Sequence, residues 1–229
     1  MERYSRILTK RKREIVLLKA KPCAWGKCRF CDYINDNSRD IEGMIALNRE
    51  VLSHVTGEFG VLEVIDSASC FELPLETLID IRKVIVEKGI RQLYLESHWI
   101  YRHRLDEIRK FFNIPIIFKI GVESFDNDFR QNYLNKHADF KNAQEVRAYF
   151  DSPCIMVGIK GQTKEMIAND IKTLKANFEL GTVNVYNNNS TDVVEDEELI
   201  SWFIKEYRWL EDEPGIDYLV HNTDFGVGD

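Results

Sequence analysis

The chain has 229 residues, 44% of them hydrophobic, with a formal charge of −7 and a pI near 5.4. This length supplies one sizeable core and predicts one domain over 1–229, while the acidity excludes a long nucleic acid such as whole tRNA, whose binding relies on lysine and arginine releasing counterions. The apolar run near the N-terminus is too short for a signal segment or a membrane span, so a cytoplasmic protein with no membrane partner is expected. In chain order, 14–20 ("EIVLLKA") is β-branched and bounded by charge, which predicts a strand, and 40–55 carries apolar residues at helical spacing. A strand over 61–66 and a helix over 75–89 follow, the helix closed by Gly89. The alternation continues with a strand over 91–97, a helix over 103–112, a strand over 114–124 and helices near 126–135 and 142–150. It ends with a strand over 153–159, a helix over 163–178, a strand over 181–187 and a helix over 195–210, whose "EDEE" start suits the positive end of the helix dipole.

Six β/α units in succession imply right-handed crossovers and a parallel sheet. Six are fewer than the eight of a closed barrel, which leaves an open doubly wound sheet or a partial barrel; in both, ligands bind at the C-terminal strand ends. Directly after the first strand, "KPCAWGKCRFCDY" (21–33) holds three of the five cysteines, Cys23, Cys28 and Cys31. Cysteines this close together make no disulfide framework and fit metal chemistry in a reducing compartment. Their C-x4-C-x2-C spacing selects zinc or an iron–sulfur cluster. Structural zinc wants a fourth ligand, and His54 and Cys70 do not form the second knuckle of a zinc ribbon. Three thiolates on a four-iron cluster leave one iron open to an external chelate. Cys70 and Cys154 read as small core residues, and His54, His103 and His137 as solvated.

These residues resemble the radical S-adenosylmethionine (SAM) superfamily, marked by a three-cysteine loop after the first strand and an aromatic before the last cysteine, here Phe30. The resemblance implies an α/β fold, a partial (β/α)6 barrel with parallel strands. It also implies a [4Fe-4S] cluster ligated by Cys23, Cys28 and Cys31, SAM on the open iron, and an electron donor such as flavodoxin or ferredoxin. The usual loop has three residues between the first two cysteines and this one has four, Ala24 to Lys27; Gly26, which tolerates φ > 0, is placed to absorb the extra one. Further cofactor contacts are expected at Ser67 and Ser69 in "DSASCF", beside Asp66, where the superfamily often has a Gly-Gly-Glu turn and this chain lacks the glutamate. Others are Glu123 and Ser124 in "FKIGVESFDNDFR", Gly158 with Gly161 in "IMVGIKGQTKE", and Asn187 in "VNVYNNNST". Plainer readings are a serine-capped turn, ordinary turn glycines and helix-capping asparagines; Glu123 stands apart, because an unpaired carboxylate ending an apolar strand is costly.

The segment "LYLESHWIYRHR" places Glu96, Ser97, His98, Trp99, Tyr101 and Arg102 after the third strand. An aromatic beside hydrogen-bonding groups suits a flat heterocycle, with Glu96 and His98 as the catalytic candidates; the alternative is a helix start with a core tryptophan. Asp36, Asn188, His221, Asn222 and Asp224 are further substrate candidates, the last three alternatively a frayed tail. Within the superfamily, the loop wording and the "ESHW" turn are similar to the queuine lyases of bacterial queuosine salvage. That likeness implies a 7-deazaguanine base such as queuine as small-molecule substrate. Hydrogen abstraction from its cyclopentenediol arm by the 5′-deoxyadenosyl radical would then fragment it to 7-aminomethyl-7-deazaguanine. A carboxylate at Glu96, Asp36 or Asp224 would accept from the base's amidine edge. The sequence also admits a radical SAM mutase or dehydrogenase on another small molecule, and a noncatalytic iron–sulfur or zinc protein.

Overall fold

The computed structural model describes residues 1–221 and 223–228; Asn222 lies outside the described residues. The strands are β1 (Tyr4–Ile7), β2 (Arg13–Leu18), β3 (Val61–Asp66), β4 (Gln92–Glu96), β5 (Ile116–Glu123), β6 (Ser152–Val157), β7 (Gly181–Val185) and β8 (Ile216–Leu219). The helices are α1 (Ile41–Ser53), α2 (Leu75–Lys88), α3 (Leu105–Phe112), α4 (Ala143–Arg147), α5 (Lys164–Asn177) and α6 (Glu197–Glu206). Two compact units divide them: Met1–Gly26, Tyr33–Phe118 and Thr223–Asp229 form the first, and Lys27–Asp32 with Lys119–Asn222 the second. Strand order follows chain order in each, β1 to β4 in the first and β5 to β8 in the second. All described pairings are parallel except that of β1 with β2.

Local chemistry explains the element limits. Asp40, Thr163 and Asp196 cap α1, α5 and α6 by accepting from Gly43 N (3.0 Å), Met166 N (3.2 Å) and Leu199 N (3.0 Å). Gly89 ends α2 at φ +65°, and the Ile90 N–H reaches back to Ile85 O at 3.0 Å, as expected of that glycine. The expected helix near 126–135 is a shorter helical segment over 127–133, its last five residues, Phe129–Tyr133, wound as π helix, and the helix expected from 103 is preceded by a 3-10 turn, Trp99–Arg104. β1 and β8 escape the sequence pattern because each is four residues long and stands last in its unit's strand order, where no continuous apolar run is required.

In the first unit Ile7, Ile15, Leu17 and Val227 form a core with Ile65 and Phe225 packed against it. Register places Ile15 opposite Glu63 and Glu63 opposite Tyr94. On this face Arg13 Nε donates to Glu63 Oε2 at 2.5 Å, both side chains fully buried, and the guanidinium lies 5.4 Å from the ring centroids of Tyr94 and Phe225. The second unit's core joins Phe129, Leu134, Met156, Ile159, Tyr186 and Val193, with Phe30, Tyr133 and Met166 against it. Among the described residues no helix is long and apolar enough to cross a membrane.

Glu63→Gln removes the carboxylate charge that the buried Arg13 guanidinium pairs with at 2.5 Å and is expected to cost about 3–5 kcal/mol in urea denaturation. Replacing both partners, Arg13→Met with Glu63→Leu, is expected to recover most of that loss.

Candidate functional site

The first unit carries Cys23 in irregular backbone whose amides are satisfied by side chains. The Cys23 N–H donates to Asn37 Oδ1 at 3.2 Å. Asn37 Nδ2 in turn donates to the Ser67 carbonyl and Oγ at 2.8 and 3.0 Å, and Ser67 Oγ also accepts from Ala20 N at 3.0 Å. Glu72 grips both sides of the cysteine, its carbonyl accepting from Lys21 N (3.1 Å) and its Oε1 from Ala24 N (3.3 Å). Gly26 adopts φ +57°, the freedom expected of it, and its N–H donates to Cys23 Sγ at 3.4 Å.

Acidic groups gather at the ends of β3 and β4. Asp66 Oδ1 accepts from Ala68 N at 2.7 Å, while Asp66 Oδ2 and Glu72 Oε2 are buried without a hydrogen-bond partner. Burial, reinforced by Glu96 and Glu72, pushes the Asp66 carboxyl well above the usual range, and burial raises Glu72 against the lowering effect of Tyr101 and Ala24. The buried Cys70 thiol is raised by burial and then by Asp66 and Glu72, which keeps it inert, in line with a core residue. Tyr101 donates its hydroxyl to Glu72 Oε1 and stacks on Phe71 at 4.5 Å. His98 caps the turn before α3, Nδ1 accepting from Ile100 N at 3.3 Å, and Trp99 is buried with Arg102 4.7 Å from its ring centroid. Ser69 Oγ lies 3.4 Å from Ser97 Oγ. Asp36 Oδ1 pairs with Arg3 (2.5 Å) and Lys19 (3.2 Å), while its Oδ2 is buried without a hydrogen-bond partner. Asp224 is exposed.

In the second unit Cys28 and Cys31 share a tight turn, Cys31 N donating to Cys28 O at 3.3 Å. Residues 133–136 brace it. Arg29 N donates to Leu134 O (2.9 Å), Asn135 Nδ2 to Lys27 O (2.8 Å), and Lys136 Nζ lies 5.4 Å from the Phe30 ring centroid. Asn189 Nδ2 donates to Phe30 O at 2.8 Å. Lys136 also pairs with Glu123 at 2.6 Å, both largely buried. Burial alone would lower the Lys136 ammonium, but Glu123 and the Cys28 and Cys31 sulfurs outweigh it and hold it well above the usual lysine range. Glu123 sits at φ +64° where β5 slips register against β6, and a Cβ on Gly121 would fall 2.2 Å from Glu123 Oε1 and 2.7 Å from Lys136 Nζ.

Other expected contacts have structural partners here. Ser124 donates to Asp170 Oδ2 at 2.7 Å, and Asn187 Nδ2 donates to Val185 O (2.9 Å) and Val220 O (3.2 Å). Asn188 Oδ1 accepts from Glu195 N at 2.8 Å, and His221 is exposed. Gly158 (φ +87°) is explained by α6, since a Cβ there would lie 2.3 Å from Ile200 Cγ1. Glu72, Asn37, Lys136 and Asn189 were not anticipated; each acts through tertiary contact that spacing does not encode.

Among the described residues no three His, Cys, Asp or Glu side chains converge as a single metal ion requires. In the first unit Cys23 is a half-buried thiol with an N–H on its sulfur, and in the second Cys28 and Cys31 are half-buried thiols with a lysine beside them, in each case the chemistry of an iron–sulfur ligand.

No family model matches the chain. A queuine lyase from Clostridium spiroforme, solved bound to SAM and queuine, is 55% identical with a TM-score of 0.98, covering 100% of both chains. SuiB of Streptococcus suis, solved bound to S-adenosylmethionine, matches 92% of this chain and 47% of its own with a TM-score of 0.55 at 11% identity, a likeness of fold alone. An uncharacterized protein of Methanocaldococcus jannaschii is 25% identical over 194 residues, 72% of this chain and 52% of that protein, so the chain spans about half the length of the curated relative it matches. The expected partial (β/α)6 barrel with parallel strands is the fold class found.

Gly158→Ala is expected to cost roughly 2–5 kcal/mol in thermal unfolding, about 1–2 from the backbone and about 1–3 from the clash. Ile200→Ala in the same chain should relieve only the clash.

Proposed function

Since the chain belongs to the queuine lyase family of the radical SAM superfamily, we propose that it takes the free base queuine and cleaves it to 7-aminomethyl-7-deazaguanine. The observation that carries this reading is the 55% identity, over the whole chain, to an enzyme solved with SAM and queuine. A [4Fe-4S] cluster and SAM would together supply the radical chemistry that cleavage of the cyclopentenediol arm needs, and the residues of this chain would hold and shield them.

Cys23, Cys28 and Cys31 hold the cluster in this reading. The Gly26 N–H on Cys23 Sγ and the Lys136 ammonium beside Cys28 and Cys31 compensate the charge that three thiolates bring. Phe30, packed against the second unit's core, keeps water from the turn between the last two cysteines. Glu123, turned out at the β5 bulge and steadied by Lys136, presents a carboxylate to the SAM hydroxyls. Asp66 and Glu72 are held toward their neutral acids by burial, each with one oxygen lacking a partner, and a cation bound beside them and Glu96 would draw them back to carboxylates; both SAM and the ammonium linking queuine's arm to its base are cations. An external one-electron donor such as flavodoxin or ferredoxin and a cytoplasmic setting complete the proposal, with no nucleic acid or membrane involved.

Anoxic reconstituted protein given queuine, SAM and dithionite is expected to yield the aminomethyl base and 5′-deoxyadenosine by mass spectrometry. Formation of 5′-deoxyadenosine without that base would reject the substrate. Cys28→Ala should abolish cluster absorbance together with turnover, and retained turnover would reject the ligand assignment. Lys136→Met removes a positive charge beside two thiolates, so redox titration followed by electron paramagnetic resonance should show a more negative cluster potential.

A further inference from the structure

β7 has two unlike faces. A Cβ on Gly181 would lie 2.7 Å from Leu174 Cδ1, so Gly181, Val183 and Val185 face α5 and Thr182 and Asn184 face the other way. Register extends that second face: Thr182 lies between Cys154 of β6 and Asp217 of β8, and Asn184 between Met156 and Leu219. Thr182 is 2% exposed, and neither its Oγ1 nor Asn184 Oδ1 has a hydrogen-bond partner. Two unsatisfied buried oxygens on one strand face cost their full desolvation, and native chains rarely retain them unless something else completes the bonds. Asn184 as a whole is only half-buried, so its carboxamide can turn about its broad terminal torsion to present both ends.

We propose that Asn184, with Thr182 beneath it, reads the lactam edge of the 7-deazaguanine base; this rests on queuine being the substrate. The carboxamide N–H donates to the ring carbonyl while its oxygen accepts from the adjacent ring N–H, a closed pair that a diol or a ribose cannot form. The adenine of SAM also offers a donor beside an acceptor. The two are told apart by the 2-amino group beside the ring N–H, which the deazaguanine has and adenine lacks, and by measuring both ligands.

The test uses reconstituted holoenzyme, with queuine and SAM affinities measured separately by calorimetry alongside kcat and KM. Asn184→Ala is expected to weaken queuine binding roughly ten- to hundredfold, as loss of a two-bond base contact does, and to raise KM more than it lowers kcat, with SAM affinity within about twofold. Unchanged queuine affinity, or loss confined to SAM, overturns the proposal. Should the variant fail to fold, wild-type enzyme with a queuine methylated on that ring nitrogen gives the same reading: binding must fall, and equal binding overturns it. Wild-type protein that leaves queuine intact rejects the substrate itself, whereas wild type that cleaves queuine beside an indifferent Asn184→Ala rejects only this site.

Discussion

A loop that carries three cysteines in nine positions has no ladder of its own to absorb its backbone amides, and every buried amide needs a partner. Around Cys23 that need is met by Asn37 and Glu72, so the first cysteine is placed by side chains 14 and 49 positions later. Asn37 uses both ends of its amide, one on Cys23 and the other on Ser67. Glu72 does so at the expense of burying a carboxyl, and Tyr101 shares that oxygen. The polar groups that look like a binding set are, in good part, the fasteners of the loop.

The second unit solves the same problem with charge. Positive φ at Glu123 costs roughly 1–2 kcal/mol for a residue with a Cβ, and the bulge that imposes it aims the carboxylate at Lys136. Gly121 is small because that ion pair occupies the space its side chain would need. Strain of this kind persists only where surrounding contacts over-determine it, and it clusters at working sites.

Much of this was legible from spacing. The β/α alternation and the αL residue Gly89 are local, so their signals survive in one dimension. Glu72 and Lys136 were not legible, since a buried acid and a buried lysine look like surface charges until their partners are known. Asn184 left a trace that went unused: in "GTVNV" the polar residues alternate with valines, and a strand covered on one face by a helix must turn its polar residues the other way. Gly158 matches a cofactor pattern in sequence, and the fold adds a second reason for a glycine there, the Ile200 side chain where a Cβ would stand.

The bonds bracing the Cys28–Cys31 turn come from Asn135 and Asn189, 108 and 159 positions after their acceptors. At ribosomal speeds of 5–20 residues per second, roughly ten to thirty seconds separate synthesis of those thiols from synthesis of their last support. Through that interval the bonds that brace the turn cannot form. The turn between the two cysteines is therefore a property of the finished polypeptide, set last by the parts of the chain made last.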